Sequence, residues 1–203
     1  MTPRRYNLGK RASSTEQTRA RVLKAARDLL AHEGFTSMSV DEVARRADVA
    51  RATVYYQFRS KSGLLEAVVQ DIQRRAGQAQ IVQAVDTPDP VQALREAFIR
   101  GSRFWASEHQ LVGKLIGLAA IDPDVRHALA SVEGDRLPLL EALVERLHVA
   151  GRLSRSCPPQ RAIDVLWMLS SFEAFDQLHT GRHLPVDQAA NVLANIAVRQ
   201  LTD

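Results

Sequence analysis

The run Ser39–Phe58, SVDEVARRADVARATVYYQF, holds the residues with the clearest chemistry. Its second half sets Arg51 beside Thr53, Tyr55 and Tyr56. A guanidinium can fork onto a guanine edge, and phenol and hydroxyl groups can reach phosphate oxygens. Two tyrosines beside an arginine are an odd choice for a face that needs only to be soluble. The plainer reading of the same pattern is a helical hairpin whose tyrosines pack on a neighbour.

The spacing also predicts the elements that position these groups. Ser39-Val40-Asp41-Glu42 is a capping box, in which the serine hydroxyl serves an amide three residues on and Glu42 reaches back. Two acids in the first turn suit the helix dipole. This helix runs to about Arg46 or Ala47, breaks at Asp48-Val49, and gives way to a second short helix from about Ala50 to Gln57. Val40, Val43, Ala44 and Ala47 fall on the inner side of the first helix, Val49 plugs the turn, and Val54 and Phe58 anchor the second. Arg51, Ala52, Thr53, Tyr55, Tyr56 and Gln57 are left to face outward. Two short helices about a tight turn predict a helix-turn-helix whose second helix fits a major groove.

Charge agrees with a polyanionic partner at one end. The net charge is +4, but residues 1–75 carry +7 and residues 76–203 carry −3. A basic front and a mildly acidic rear suggest that only the front meets nucleic acid. Before the motif, Val22, Ala26, Leu29 and Leu30 recur at helical spacing from about Thr15 to Glu33, and Gly34 closes that helix. Residues 1–15, with Arg4, Arg5, Lys10 and Arg11, read as a flexible basic arm.

Taken together, Thr18–Ala26, Gly34-Phe35, residues 39–58, Lys61 and Leu64 resemble, in order and spacing, the DNA-binding domain of the TetR family of bacterial regulators. The resemblance covers residues 16–76. It implies an all-α homodimer: an N-terminal three-helix helix-turn-helix domain that binds a palindromic operator in double-stranded DNA, plus a C-terminal helical domain, residues 77–203, for ligand binding and dimerisation. It implies a repressor released by a small-molecule effector. An activator, or a regulator without a ligand, fits the same sequence, and a non-DNA helical interaction module is the remaining alternative.

Matched position by position, the resemblance assigns Arg51, Ala52 and Tyr56 to base contacts and Thr53, Tyr55 and Lys61 to the phosphate backbone. Ser39, at a helix N-terminus, is a further phosphate candidate. Five positions depart from the pattern. Ala50 replaces a capping serine, Asp48 replaces the usual turn glycine, Gln57 stands where an aromatic or histidine is common, and Ser62-Gly63 replaces an acidic helix start.

The rear of the chain predicts architecture more than chemistry. A long helix is expected from Ser60 to about Gln80, then helices over Val91–Ser107, Leu111–Ala120, Pro123–Val149, Pro159–Thr180 and Pro185–Leu201. Ala162, Val165, Leu166, Leu169 and Phe172 form one stripe, and Ala189, Ala190, Leu193, Ile196, Ala197 and Leu201 another. The family would pair these last two long helices with their copies in a four-helix bundle; both stripes could equally complete the monomer core. A pocket would draw on Phe98, Phe104, Trp105, His109, Leu118, Trp167, Met168, Phe172 and Phe175.

Several classes are set aside. There is no Gly-x-Ser-x-Gly elbow, no phosphate-binding glycine loop and no His-Glu-x-x-His, so no enzyme is expected. His179 and His183 are four apart, but Gly181 and Pro185 interrupt the helix they would need, so neither a metal nor another cofactor is expected. The single cysteine, Cys157, excludes an intrachain disulfide. No apolar run reaches membrane length, and Met1–Arg11 lacks the apolar stretch of a secretory signal. The expected setting is the bacterial cytoplasm, with nucleoid association when bound to an operator.

Overall fold

A computed structural model describes the backbone of residues 8–35 and 38–202, with side chains of residues 8–13 and 131–133 left aside. Eleven helices are present among these residues, and the only extended pairing among them is an isolated antiparallel bridge between Leu153 and Thr202. The all-α expectation therefore holds. The described residues divide into two compact units, one reaching to Asp71 and including Lys114–Ala128, the other formed by Ile72–Gly113 and Leu129 onward.

The first unit contains α1 (Leu8–Glu33), α2 (Val40–Arg46), α3 (Arg51–Phe58) and the larger part of α4 (Lys61–Ala76). Helix α1 begins at Leu8, so the stretch expected as a flexible arm is helical over its second half. Lys10, Arg11 and Ala12 favour helix, and they extend one already fixed by its packed C-terminal turns. Arg4 and Arg5 lie outside the described residues. Gly34 closes α1 with φ 84° and donates its amide to Leu29 O at 3.1 Å. Val22, Ala26, Leu29 and Leu30 of α1 join Val43, Val54, Phe58, Leu64, Leu65 and Val68 in the buried core. The Arg27 guanidinium lies 3.7 Å from the shielded Asp71 carboxylate and ties α1 to α4.

The second unit contains α5 (Gln78–Val85), α6 (Pro90–Ser107), α9 (Pro159–Leu169), α10 (Phe172–His179) and α11 (Val186–Leu201), with parts of α7 (His109–Ala119) and α8 (Pro123–Val149). Two helices expected as continuous are broken. The helix from residue 60 ends at Ala76, because Gly77 adopts φ 94° and α5 restarts after it. The helix expected over Pro159–Thr180 breaks at Ser170-Ser171, where the Ser171 hydroxyl accepts from Ala174 N at 3.1 Å and caps α10. Asp89 caps α6 in the same way, accepting from Val91 N and Gln92 N ahead of Pro90.

The small residues of the two rear stripes are spent inside the single chain. Ala162, Leu166, Leu169, Phe172, Ala189, Ala190, Leu193, Ala197 and Leu201 are all buried. Ile196, expected on the same stripe, is exposed, as are Val192 and Met168.

Candidate functional site

Helix α2 is started by Ser39, whose Oγ accepts from Glu42 N at 3.1 Å. Glu42 is then held by Arg45, with Arg45 Nε at 2.9 Å, and by Arg46, with Nε at 2.7 Å. These partners, Arg45 foremost, lower its pKa to about 2. Arg46 also reaches Glu33 and so links α2 to the end of α1. Asp48 takes the turn position with φ 51°, the left-handed conformation that aspartate tolerates at modest cost. Val49 N then bonds Ala44 O at 3.1 Å and closes the turn.

Helix α3 has no side-chain cap, because Ala50 has no polar group to offer. Packing holds it instead. Val54 and Phe58 are buried, and the Arg19 guanidinium lies 4.6 Å from the Phe58 ring centroid. At the far end Arg59 adopts φ 67° and donates its amide to Tyr55 O at 2.9 Å. The Ser62-Gly63 departure has a steric reason. A Cβ on Gly63 would lie 2.3 Å from Phe58 O, so only glycine permits this close approach between α3 and α4. Ser60 Oγ accepts from Gly63 N at 2.9 Å and starts α4.

Arg51, Ala52, Tyr55 and Tyr56 are together on the exposed face of α3, and Tyr56 is 87% exposed. Thr53 is half-buried beside them. Arg51 is positioned by two partners: its Nη2 donates to Tyr55 Oη at 3.3 Å, and its Nε sits 3.2 Å from Asp41 Oδ1. Tyr55 and Asp41, in that order, raise its pKa, so the guanidinium is permanently charged. Two residues behave differently from expectation. Lys61 is turned inward, donating to Phe35 O at 3.2 Å with its ammonium 3.9 Å from the Phe35 ring centroid. Gln57, expected to face outward, has a buried side-chain oxygen without a hydrogen-bond partner among the described residues. Its position in the turn following Thr53 places it between the exposed and buried faces of α3.

The second unit contains a partly open cavity of about 100 Å³. Its wall includes Phe98, Phe104 and Trp105 from α6, Leu139, Leu140 and Leu143 from α8, and Phe175 from α10. Phe98, Phe104, Trp105 and Phe175 were expected there. His109, Trp167, Met168 and Phe172 were expected there too, but do not line it, and neither does Leu118. Met168 is 61% exposed. Trp167 lies under the Arg136 guanidinium at 3.8 Å. His109 bonds Asp176 at 2.6 Å and stacks near Phe172, whose ring fills the space beside Gly113. At the break between α9 and α10 the Ser170 carbonyl accepts from Trp105 Nε1 at 3.1 Å.

Sequence reasoning missed the polar groups of this cavity: Gln73, Gln78, Ser102, Asp135, Arg136, Ser170 and Ser171. Ser102 carried a usable signal, because it falls four residues after Phe98 on the apolar stripe of α6. Asp135 accepts from Gln73 Nε2 at 3.3 Å and from Gln78 Nε2 at 3.2 Å. No group of His, Cys, Asp and Glu suited to a metal occurs among the described residues, and none of their helices is long and apolar enough to cross a membrane.

Residues 22–68 match the family described as bacterial regulatory proteins, tetR family. Over 93 residues the chain is 38% identical to the HTH-type transcriptional repressor NicS of Pseudomonas putida, a stretch covering 45% of this chain and 44% of NicS. The match therefore spans less than half the length of that relative. Among solved structures, NalD of Pseudomonas aeruginosa, the secondary repressor of the MexAB-OprM multidrug efflux pump, superposes with a TM-score of 0.73 at 24% identity, over 93% of this chain and 98% of NalD. The complex of SmeT with triclosan superposes with a TM-score of 0.73 at 15% identity, over 92% of each chain; SmeT is the repressor of the Stenotrophomonas maltophilia multidrug efflux pump SmeDEF. At such identities these structures speak for the fold alone.

Proposed function

This chain belongs to the TetR family of bacterial regulatory proteins, and from that premise we propose that it is a homodimeric repressor that leaves a palindromic operator when a small molecule binds. The observation that carries the reading is the face of α3: Arg51, Ala52, Tyr55 and Tyr56 exposed together, over Val54 and Phe58 sealed in the core. A rigid helix with a cationic, phenol-bearing outer face suits a major groove. Arg51 reads a guanine, exchanging Asp41 for the base edge, while Tyr55 and Thr53 meet the backbone and Tyr56 reaches the bases. Ser39 and Lys61 join the backbone contacts, Lys61 after leaving Phe35.

The second unit supplies the other two parts of the reading. Its cavity is lined mainly by apolar and aromatic groups, as small-molecule sites are. NicS, NalD and SmeT are described as repressors, and one solved structure of SmeT is a complex with triclosan. Exposed Met168, Val192 and Ile196 on α9 and α11 supply apolar surface for a second copy. The reading requires no catalytic step. The protein acts in the cytoplasm and joins the nucleoid when bound to its operator.

Selection of bound fragments from the source genome tests it. A palindromic sequence protected by a dimer is expected. Recovery of no preferred sequence, or sedimentation as a monomer at micromolar concentration, contradicts it.

A further inference from the structure

The arginine on the outer face of α3 has a carboxylate beside it. Asp41 Oδ1, from the first turn of α2, lies 3.2 Å from Arg51 Nε, while Arg51 Nη2 donates to Tyr55 Oη at 3.3 Å. The side chains of Asp41 and Arg51 are both more than half exposed. An ion pair this open to water adds little to stability, so holding the fold together does not account for Asp41. The arginines of α2 do not depend on it either, because Glu42 holds both Arg45 and Arg46. An acid on a face that meets phosphates is repelled by them, unless a donor on the DNA answers it.

The major groove offers such donors at fixed places. A guanine presents O6 and N7, two acceptors that suit an arginine fork, and its paired cytosine presents the N4 amino group, which suits a carboxylate. Guanine O6 and cytosine N4 are hydrogen-bonded to each other, so they stand about 2.9 Å apart. The 3.2 Å between Arg51 Nε and Asp41 Oδ1 is close to that spacing. When Arg51 passes from Asp41 to a guanine, the carboxylate is left beside the other half of the same base pair. Without a donor there it would be a desolvated charge with no partner, which is costly.

We propose that Asp41 determines specificity: its carboxylate accepts from the N4 amino group of the cytosine paired with the guanine that Arg51 reads, so that one G·C pair is read on both strands. The proposal rests on the DNA-binding half of the function given above and adds a second reader to it.

Fluorescence anisotropy at fixed salt, with the full-length protein and an operator recovered by fragment selection, tests this. Wild type is compared with Arg51→Ala and Asp41→Ala. The guanine whose preference Arg51→Ala relaxes is the one that Arg51 reads. The cytosine opposite it is then replaced by N4-methylcytosine. That base keeps the pairing and leaves guanine O6 and N7 in place, but it puts a methyl group where the groove-facing amino hydrogen was. Wild type should bind the methylated operator about tenfold more weakly than the unmodified one, the discrimination of one good base contact. Asp41→Ala should keep the wild-type unfolding curve and bind the two operators within about twofold of each other, since it has no acceptor to lose. Each protein is compared with itself, so a general rise in affinity on removing a negative charge does not enter.

Equal binding of the two operators by wild type would overturn the proposal. An equal loss in wild type and Asp41→Ala would overturn it too, because the methyl group would then act against some group other than Asp41. If Arg51→Ala relaxes no guanine, the shared base pair is lost and the proposal falls while selective DNA binding stands. Recovery of no preferred sequence by wild type removes the DNA-binding reading itself.

Discussion

The outer face of α3 and the cavity of the second unit present polar groups in opposite ways. On α3, Arg51, Tyr55 and Tyr56 are consecutive or one turn apart, exposed, and supported from beneath by only Val54 and Phe58. In the cavity, Gln73, Ser102 and Asp135 come from three helices and meet within apolar walls. A surface that meets a polyanion needs charge it can extend; a site for a small molecule needs a few polar groups set among apolar walls. The contrast shows why one site is compact in sequence and the other dispersed.

That contrast can be broken or sharpened by substitution. The largest effect is expected from Phe58→Ala, which removes the ring that seats α3 and leaves a cavity. It should lower unfolding free energy by about 3–5 kcal/mol and abolish operator binding, as read by thermal unfolding and mobility shift. Arg51→Ala should leave the unfolding curve close to wild type. It should weaken binding to the operator by roughly tenfold or more while changing binding to random duplex far less. Equal losses on both duplexes would assign Arg51 to the backbone. Ser39→Ala removes the α2 cap and should cost about 1 kcal/mol of stability, measured by denaturant titration.

The smallest effect concerns acid. Glu42 titrates at about 2 in the folded protein against 4.5 when unperturbed. A depressed folded pKa means that its contribution is complete above pH 4.5 and is lost as pH falls towards 2. Because Glu42 and its partners remain open to solvent in part, the effect is small and salt-sensitive. Glu42→Gln should flatten that part of the stability–pH curve; an unchanged slope would mean that the contacts with Arg45 and Arg46 add nothing in solution.

The first unit was largely legible from sequence because its signals are local. The Ser39 capping box, Asp48 at the turn, the uncapped Ala50 and the Val54–Phe58 pair all occupy the roles their types suggest. Lys61 and Gln57 were not legible. Lys61 answers the Phe35 carbonyl 26 residues away, and Gln57 turns its oxygen into the protein. In the second unit the helices were legible but their breaks were not. Gly77 and Ser171 each interrupt an otherwise continuous apolar period, and the Ser171 cap followed by Glu173 is a start signal within a longer pattern. Trp167, Met168 and Phe172 flank the break at Ser170-Ser171, and none of them lines the cavity. The cavity's polar groups are brought together by contacts between positions such as 73 and 135, which periodicity along one helix does not encode.

Everything proposed for the first unit depends on α3 meeting DNA through its outer face. The most direct measurement is affinity for a recovered operator fragment across a salt series, with wild type beside a variant carrying Arg51→Ala, Tyr55→Phe and Tyr56→Ala. The wild type should show a linear fall of log affinity with log salt, about −0.9 per phosphate engaged, and a preference over random duplex that the variant loses. A variant that keeps both the affinity and the preference, at every salt concentration, would contradict the assignment.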